Sequence, residues 1–216
     1  MQKKCLLPVL LALLMLLSGC RSQAQPAQIA ATTLPVYEFT SRLCEGTPLT
    51  VTRLVTESVS CLHDYSLNVR QVKAAEAAEV VVISGAGLED FLDGILDDSD
   101  IIDSSDGIAL LHAEEEHDHG HEDHHHEDDP HIWLSPENAK IMAGNICTGL
   151  FQRYPEYADT FSANLDSLLE DLDALQSYGE SSLSGLKCRE LVTFHDGFSY
   201  FAQAFNLTIL EAVEEE

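Results

Sequence analysis

From residue 28 onward the apolar residues alternate between strand-like and helix-like stretches, and this alternation constrains the fold more than any other feature of the chain. Strands and helices that follow one another bury their apolar sides as layers, so the expected class is α/β with a largely parallel sheet. Strands are expected at about 28–34 (QIAATTL), 49–55 (LTVTRLV) and 79–83 (EVVVI), with helices at about 36–44 and 67–77 and another near 88–97. The turn Ser84-Gly85-Ala86-Gly87 is not GxGxxG and no Lys-Ser/Thr follows it, so it is a poor phosphate site. At 216 residues, 45% hydrophobic and 22% charged, the chain can bury a core as one large domain or two small lobes.

The pattern breaks at residues 112–130, where seven histidines and nine acidic residues leave nothing to pack. Order resumes at Ser135-Pro136-Glu137, an N-cap, an N1 proline and a first-turn carboxylate that together start a helix. Ile141, Met142, Ile146, Leu150 and Phe151 keep helical spacing up to Tyr154-Pro155. Phe161, Leu165, Leu168, Leu169, Leu172 and Leu175 then mark one face of a second helix, about 20 residues and roughly 30 Å long, a strut between lobes. The Ser/Gly-rich stretch 179–185 reads as a linker, and 190–194 (ELVTF) opens a second α/β unit with a helix near 197–205 and a strand near 207–213. The expected division is an N-terminal α/β lobe over 28–134 that includes the His-rich acidic loop 112–131, a helical segment over 135–178, and the start of a C-terminal lobe over 186–216. That second lobe is expected to be incomplete, because two strands and a helix do not close a sheet.

The first residues read as a targeting signal. Lys3 and Lys4 precede an apolar run over 6–17 that is short for a membrane span but right for a secretory leader. It ends in Leu17-Ser18-Gly19-Cys20, which resembles the lipobox of bacterial lipoproteins and implies a leader over 1–19 and a lipid on Cys20. Residues 20–27 then form a polar tether to the membrane. Lys+Arg 11 against Asp+Glu 37 gives a formal charge of −26, a field that repels phosphate backbones and attracts cations, so nucleic acid is not an expected partner. Cys44, Cys61, Cys147 and Cys188 remain after the leader; an exported location permits disulfides, and sequence does not choose among the three full pairings. None has CxxC spacing, and buried small hydrophobes are the alternative.

Only three histidines lie outside the tract: His63, His131 and His195. His63 follows the 49–55 strand, and His195 sits at the carboxyl end of the 190–194 strand, the side of open α/β sheets where ligands collect. His131 stands where the tract gives way to a capped helix, so it can be held rigidly. Three neutral imidazoles at about 2.0–2.1 Å suit Zn²⁺ and leave one tetrahedral position for a carboxylate or water. Taken singly, each histidine fits an ordinary polar loop residue better than a ligand; the inference rests on their joint placement beside the tract. The tract histidines His112, His117, His119, His121, His124, His125 and His126, mixed with carboxylates, suit loose metal binding, with a solvated acidic linker as the alternative.

The segments 33–37 (TLPVY), 62–65 (LHDY), 129–136 (DPHIWLSP) and 194–201 (FHDGFSYF) resemble the solute-binding lipoproteins of bacterial ABC importers for zinc and manganese, the cluster A-I binding proteins. The resemblance covers nearly the whole chain after the leader. It implies two (βα) lobes with parallel sheets joined by a long helix, a metal held between them by His63, His131 and His195, and an ABC transporter permease as partner. In manganese-type members the third position is usually Glu, so His195 favours Zn²⁺ over Mn²⁺. The chain ends before the part in which that family completes the second lobe and often supplies an Asp or Glu near the metal. Two other readings fit the same residues: a zinc buffer that never docks a transporter, and a three-histidine zinc enzyme with Glu190 or Asp196 as base. Against the enzyme, the sequence has no HExxH, no GxSxG and no carboxylate pair at catalytic spacing.

Overall fold

Strand β1 (Ile29–Ala31) is completely buried and has a parallel partner on each edge, β2 (Val51–Arg53) and β3 (Val80–Ile83). A fourth strand, β4 (Ile101–Asp103), extends β3, so the first sheet runs β2-β1-β3-β4 with every pair parallel. A computed structural model describes residues 27–57, 62, 65–95, 101–112 and 128–214. Successive strand residues point to opposite faces, and here both faces are covered. Ile29, Ala31, Val80, Val82 and Ile102 join the larger cluster with Val36, Met142, Ile146 and Leu150, whereas Ala30 and Val81 pack with Leu54, Ala75 and Leu92 on the other side. That is why β3 reads as an unbroken Val-Val-Val-Ile.

The helices start where their caps put them. Helix α1 (Leu34–Leu43) follows Thr33 with a proline in its first turn and buries Val36, Thr40 and Leu43. Helix α2 (Val69–Ala77) opens on a capping box in which Asn68 accepts from the backbone of Arg70 and Gln71, and Gln71 Oε1 accepts from the Asn68 N–H at 2.8 Å. Helix α3 (Pro136–Arg153) begins at the Ser135 cap and buries Ala139, Met142, Ala143, Ile146, Cys147 and Leu150 along one stripe.

Helix α4 (Ala158–Leu183) reaches both sheets. Its Phe161 joins the large cluster, Leu168 and Leu172 pack on Ala139 and Ala143 of α3, and Leu183 packs with Ala202, Phe205 and Leu207 of the second unit. Arg189 ties its C-terminal end down by donating to the carbonyls of Leu183, Phe205 and Asn206. The second sheet is the parallel pair β5 (Glu190–His195) and β6 (Thr208–Glu214), joined through α5 (Ser199–Ala204).

Three expectations need correction. No α-helix spans 88–97: the described part holds a single 3-10 turn, Asp90–Leu92, because the Glu89 side chain turns back onto the strand ends and Gly94 takes a φ of +72°. Strand β4 was not foreseen at all. The 179–185 stretch is not a linker, since α4 continues to Leu183 and runs 26 residues. Gly179 serves packing there: a Cβ on it would lie 2.3 Å from the Phe205 ring. Among the described residues Cys44, Cys147 and Cys188 are free thiols, and Cys61 lies outside them. Burial pushes the Cys44 thiol up to about 12 and the Cys147 thiol up to about 11. The leader also lies outside the described residues, among which no helix is long and apolar enough to cross a membrane.

Two glycines of α3 give opposite expectations. A Cβ at Gly149 would meet three side-chain carbons of Ile102 at 2.7–2.8 Å, whereas nothing lies within 4 Å of one at Gly144. Overpacking costs about 1–3 kcal/mol, against a gain of about 1 kcal/mol in helix propensity. Gly149→Ala is therefore expected to lower the urea midpoint and Gly144→Ala to raise it.

Candidate metal centre

His131 and His195 come from different lobes and meet. The imidazole of His195, the last residue of β5, approaches that of His131 with the two Nε2 atoms 3.0 Å apart and the rings nearly perpendicular, at 80°. His131 is held by further described neighbours. Its backbone N–H and its Nδ1 both donate to Asp129 Oδ1, at 2.9 and 2.8 Å, and the Trp133 ring lies 5.3 Å away. Both partners are well covered, with side-chain exposures of 14% for His131 and 9% for Asp129. Gly197 also approaches the ring: a Cβ there would stand 2.8–2.9 Å from Cε1, Nδ1 and Nε2 of His131.

In a neutral His131 whose Nδ1–H goes to Asp129, Nε2 carries a lone pair, and the hydrogen shared with His195 then belongs to His195 Nε2. A carboxylate behind an imidazole is the arrangement that orients histidine ligands at metal centres.

A family model described as ZnuA, zinc-uptake complex component A, periplasmic, matches residues 29–216. The chain belongs to this family. It is 34% identical over 203 residues to the zinc-binding lipoprotein AdcA of Streptococcus pneumoniae, covering 88% of this chain and 40% of AdcA. It is 28% identical over 212 residues to the high-affinity zinc uptake system protein ZnuA of Brucella abortus, covering 80% of this chain and 63% of that protein. The crystal structure of Zn(II)-bound AdcA from S. pneumoniae matches with a TM-score of 0.74 and 28% identity, over 88% of this chain and 40% of that one. The chain thus spans less than two thirds of the length of these relatives. The fold of the family is the two-lobed α/β architecture seen here.

Of the histidines singled out in the sequence, the structure brings together His131 and His195; His63 lies outside the described residues. Among the described residues no group of three or more His, Cys, Asp or Glu side chains is assembled. His112 is exposed and pairs with Asp128 at 2.6 Å, the two forming an antiparallel bridge at the base of the tract. The remaining tract histidines, His117, His119, His121, His124, His125 and His126, and the lipidation candidate Cys20 also lie outside the described residues. Glu190, the carboxylate considered as a catalytic base, begins β5 at the end opposite His195, about 17 Å along the strand, too far to share a reaction centre. Sequence reasoning missed Asp129 and Gly197; the first was hidden among the acidic residues of the tract, although its position two residues before His131 was a usable signal.

A second carboxylate is buried at the carboxyl ends of β1 and β3, where the strand order reverses. Glu89 accepts from Thr32 Oγ1 at 2.6 Å and from the backbone N–H groups of Ser84 and Gly85 at 2.8 and 2.9 Å. Burial pushes its carboxyl from the ordinary 4.5 up to about 7, outweighing those three donors. With the folded-state value above the unfolded one, the folded chain binds the proton more tightly, so Glu89's contribution to stability is complete below about 4.5 and is lost as pH rises to about 7. Against Glu89→Gln, the unfolding free energy of the parent is expected to fall by about 1–3 kcal/mol across that window. A constant difference would mean that Glu89 is ionised throughout.

Proposed function

We propose that the chain is an extracytoplasmic protein that captures Zn²⁺ between its two lobes on His131, His195 and His63 and delivers it to the permease of an ABC transporter. The observation that carries this reading is the 3.0 Å approach of two Nε2 atoms from separate lobes, one of them backed by Asp129. Two nitrogens each about 2.0–2.1 Å from a tetrahedral ion lie roughly 3.3 Å apart, so a shift of a few tenths of an ångström admits the ion. For the ion to sit between the rings, the one ring hydrogen of a neutral His195 moves from Nε2 to Nδ1, so that both Nε2 atoms present lone pairs. Imidazole nitrogens favour zinc over manganese, which prefers oxygen. The relatives point the same way, AdcA being a zinc-binding lipoprotein and the Brucella protein a component of a high-affinity zinc uptake system. Location outside the cytoplasm is supported by the family's description as periplasmic and by the leader, with a lipid on Cys20 as the membrane tether. The tract histidines gather metal loosely in the field of the −26 charge.

In a chain lacking residues 114–127, free zinc at about 100 times its Kd is expected to add roughly 2.7 kcal/mol of stability, read as a rise in Tm. Manganese at the same concentration should give a smaller rise. His131→Ala or His195→Ala should remove most of the zinc effect, and Gly197→Ala, which drives a methyl group into the His131 ring, should reduce it. A manganese shift equal to that of zinc, or an undiminished shift in His195→Ala, would refute the assignment. Separately, Cys20→Ala is expected to release the protein from the membrane fraction or leave its precursor uncleaved; normal membrane association of that variant counts against the tether.

A further inference from the structure

The tract leaves and rejoins the fold through a stem that the second lobe holds shut. Leu111 stands on one side of this stem and Asp129 on the other, and the Asp129 N–H donates to the Leu111 carbonyl at 2.7 Å. The hydroxyl of Tyr200, on α5, completes a closed ring of hydrogen bonds: it accepts from the Leu111 N–H at 2.9 Å and donates to the Asp129 carbonyl at 3.0 Å. Tyr200 is 1% exposed, and although it belongs to the second lobe its ring packs in the core cluster of the first, with Ile132.

We propose that Tyr200 is a positioning residue for metal capture, acting on His131 through Asp129. Among the described residues, three polar groups of Asp129 are engaged. Its N–H is held by Leu111, its carbonyl by Tyr200, and its Oδ1 receives both the N–H and the Nδ1 of His131. A backbone pinned at both its donor and its acceptor cannot swing, so the carboxylate stays where it orients the ring. A phenol has one hydrogen to give and lone pairs to receive, and both capacities are used on the two sides of the stem. Because Tyr200 follows His195 by five residues, the lobe that supplies one ligand also locks the other. This inference rests on His131 being a zinc ligand.

The test is a double-mutant cycle on the full chain, with zinc affinity measured by competition against a high-affinity chromophoric chelator so that only the tightest site is counted. Tyr200→Phe keeps the packed ring and removes the hydroxyl; it is expected to weaken zinc binding about 10-fold, and Asp129→Asn about 10- to 100-fold, as loss of ligand support does. In the Asp129→Asn background, Tyr200→Phe should cost less than about twofold, because the two act in series. The visible bands of the Co²⁺-loaded protein should weaken in Tyr200→Phe, reporting distorted tetrahedral geometry that a loss of global stability alone would not produce. p-Aminophenylalanine at position 200, which restores a donor on the same ring, should regain most of the affinity and also serves if Tyr200→Phe folds poorly. Undiminished affinity in Tyr200→Phe, or an equal loss with and without the Asp129 carboxylate, overturns the proposal while leaving the site intact. Undiminished affinity in His131→Ala overturns the site itself and this inference with it.

Discussion

Phe161, Leu165, Leu168 and Leu172 bury one face of α4 against the first lobe, and two to three turns further on Gly179 and Leu183 meet the second. Each such buried Leu or Phe contributes about 1.5–3 kcal/mol, enough together to hold straight a helix whose exposed residues would not hold it alone. The distance between the carboxyl ends of the two sheets is set by that rod. His131 stands before α3, on which α4 lies, and His195 at the end of β5, which follows α4 in the chain, so the rod and the Tyr200 contact together bring the two rings to each other. A bend in α4 would separate the imidazoles and draw Tyr200 out of the first lobe's core.

The local electrostatics at this meeting point are not those of a cation site by default. His131 directly precedes the 3-10 turn and α3, whose N-terminal end carries the equivalent of about half a positive charge. Ser135 caps one of the free N–H groups and Glu137 adds a carboxylate to the first turn. Asp129 brings a full negative charge, nearly buried, to the imidazole itself, and this outweighs the helix end. The overall acidity of the chain supplies a long-range field, but Asp129 decides the sign where the rings meet.

Much of this was legible in the sequence, and what was not has physical causes. The buried strands announced themselves as short apolar runs, and the helix start at Ser135 is where a capping hydroxyl and a following proline had to put it. Strand β4 escaped because three residues ending in Asp103 carry no period. The 88–97 segment had helical spacing, but Glu89 found three donors at the strand ends and Gly94 took a left-handed conformation, so tertiary bonding won over local pattern. Gly179 looked like a break and proved to be a contact. His131 and His195 could be found because histidine outside the tract is scarce. Tyr200 could not, because a tyrosine that bonds two backbone groups far away in sequence leaves no local trace.

The two buried thiols acquire a meaning under the proposed function. Thiolates are the firmest zinc ligands a protein can offer, and a carrier that bound its ion through them would be slow to give it up. Cys44 and Cys147 are sealed in the core and held protonated, with Cys147 spending its hydrogen on the Phe161 carbonyl. At these two positions sulfur fills space in the core without competing for an ion. In the proposed site the described ligand atoms, on His131 and His195, are imidazole nitrogens, from which a receiving protein can draw the ion more readily.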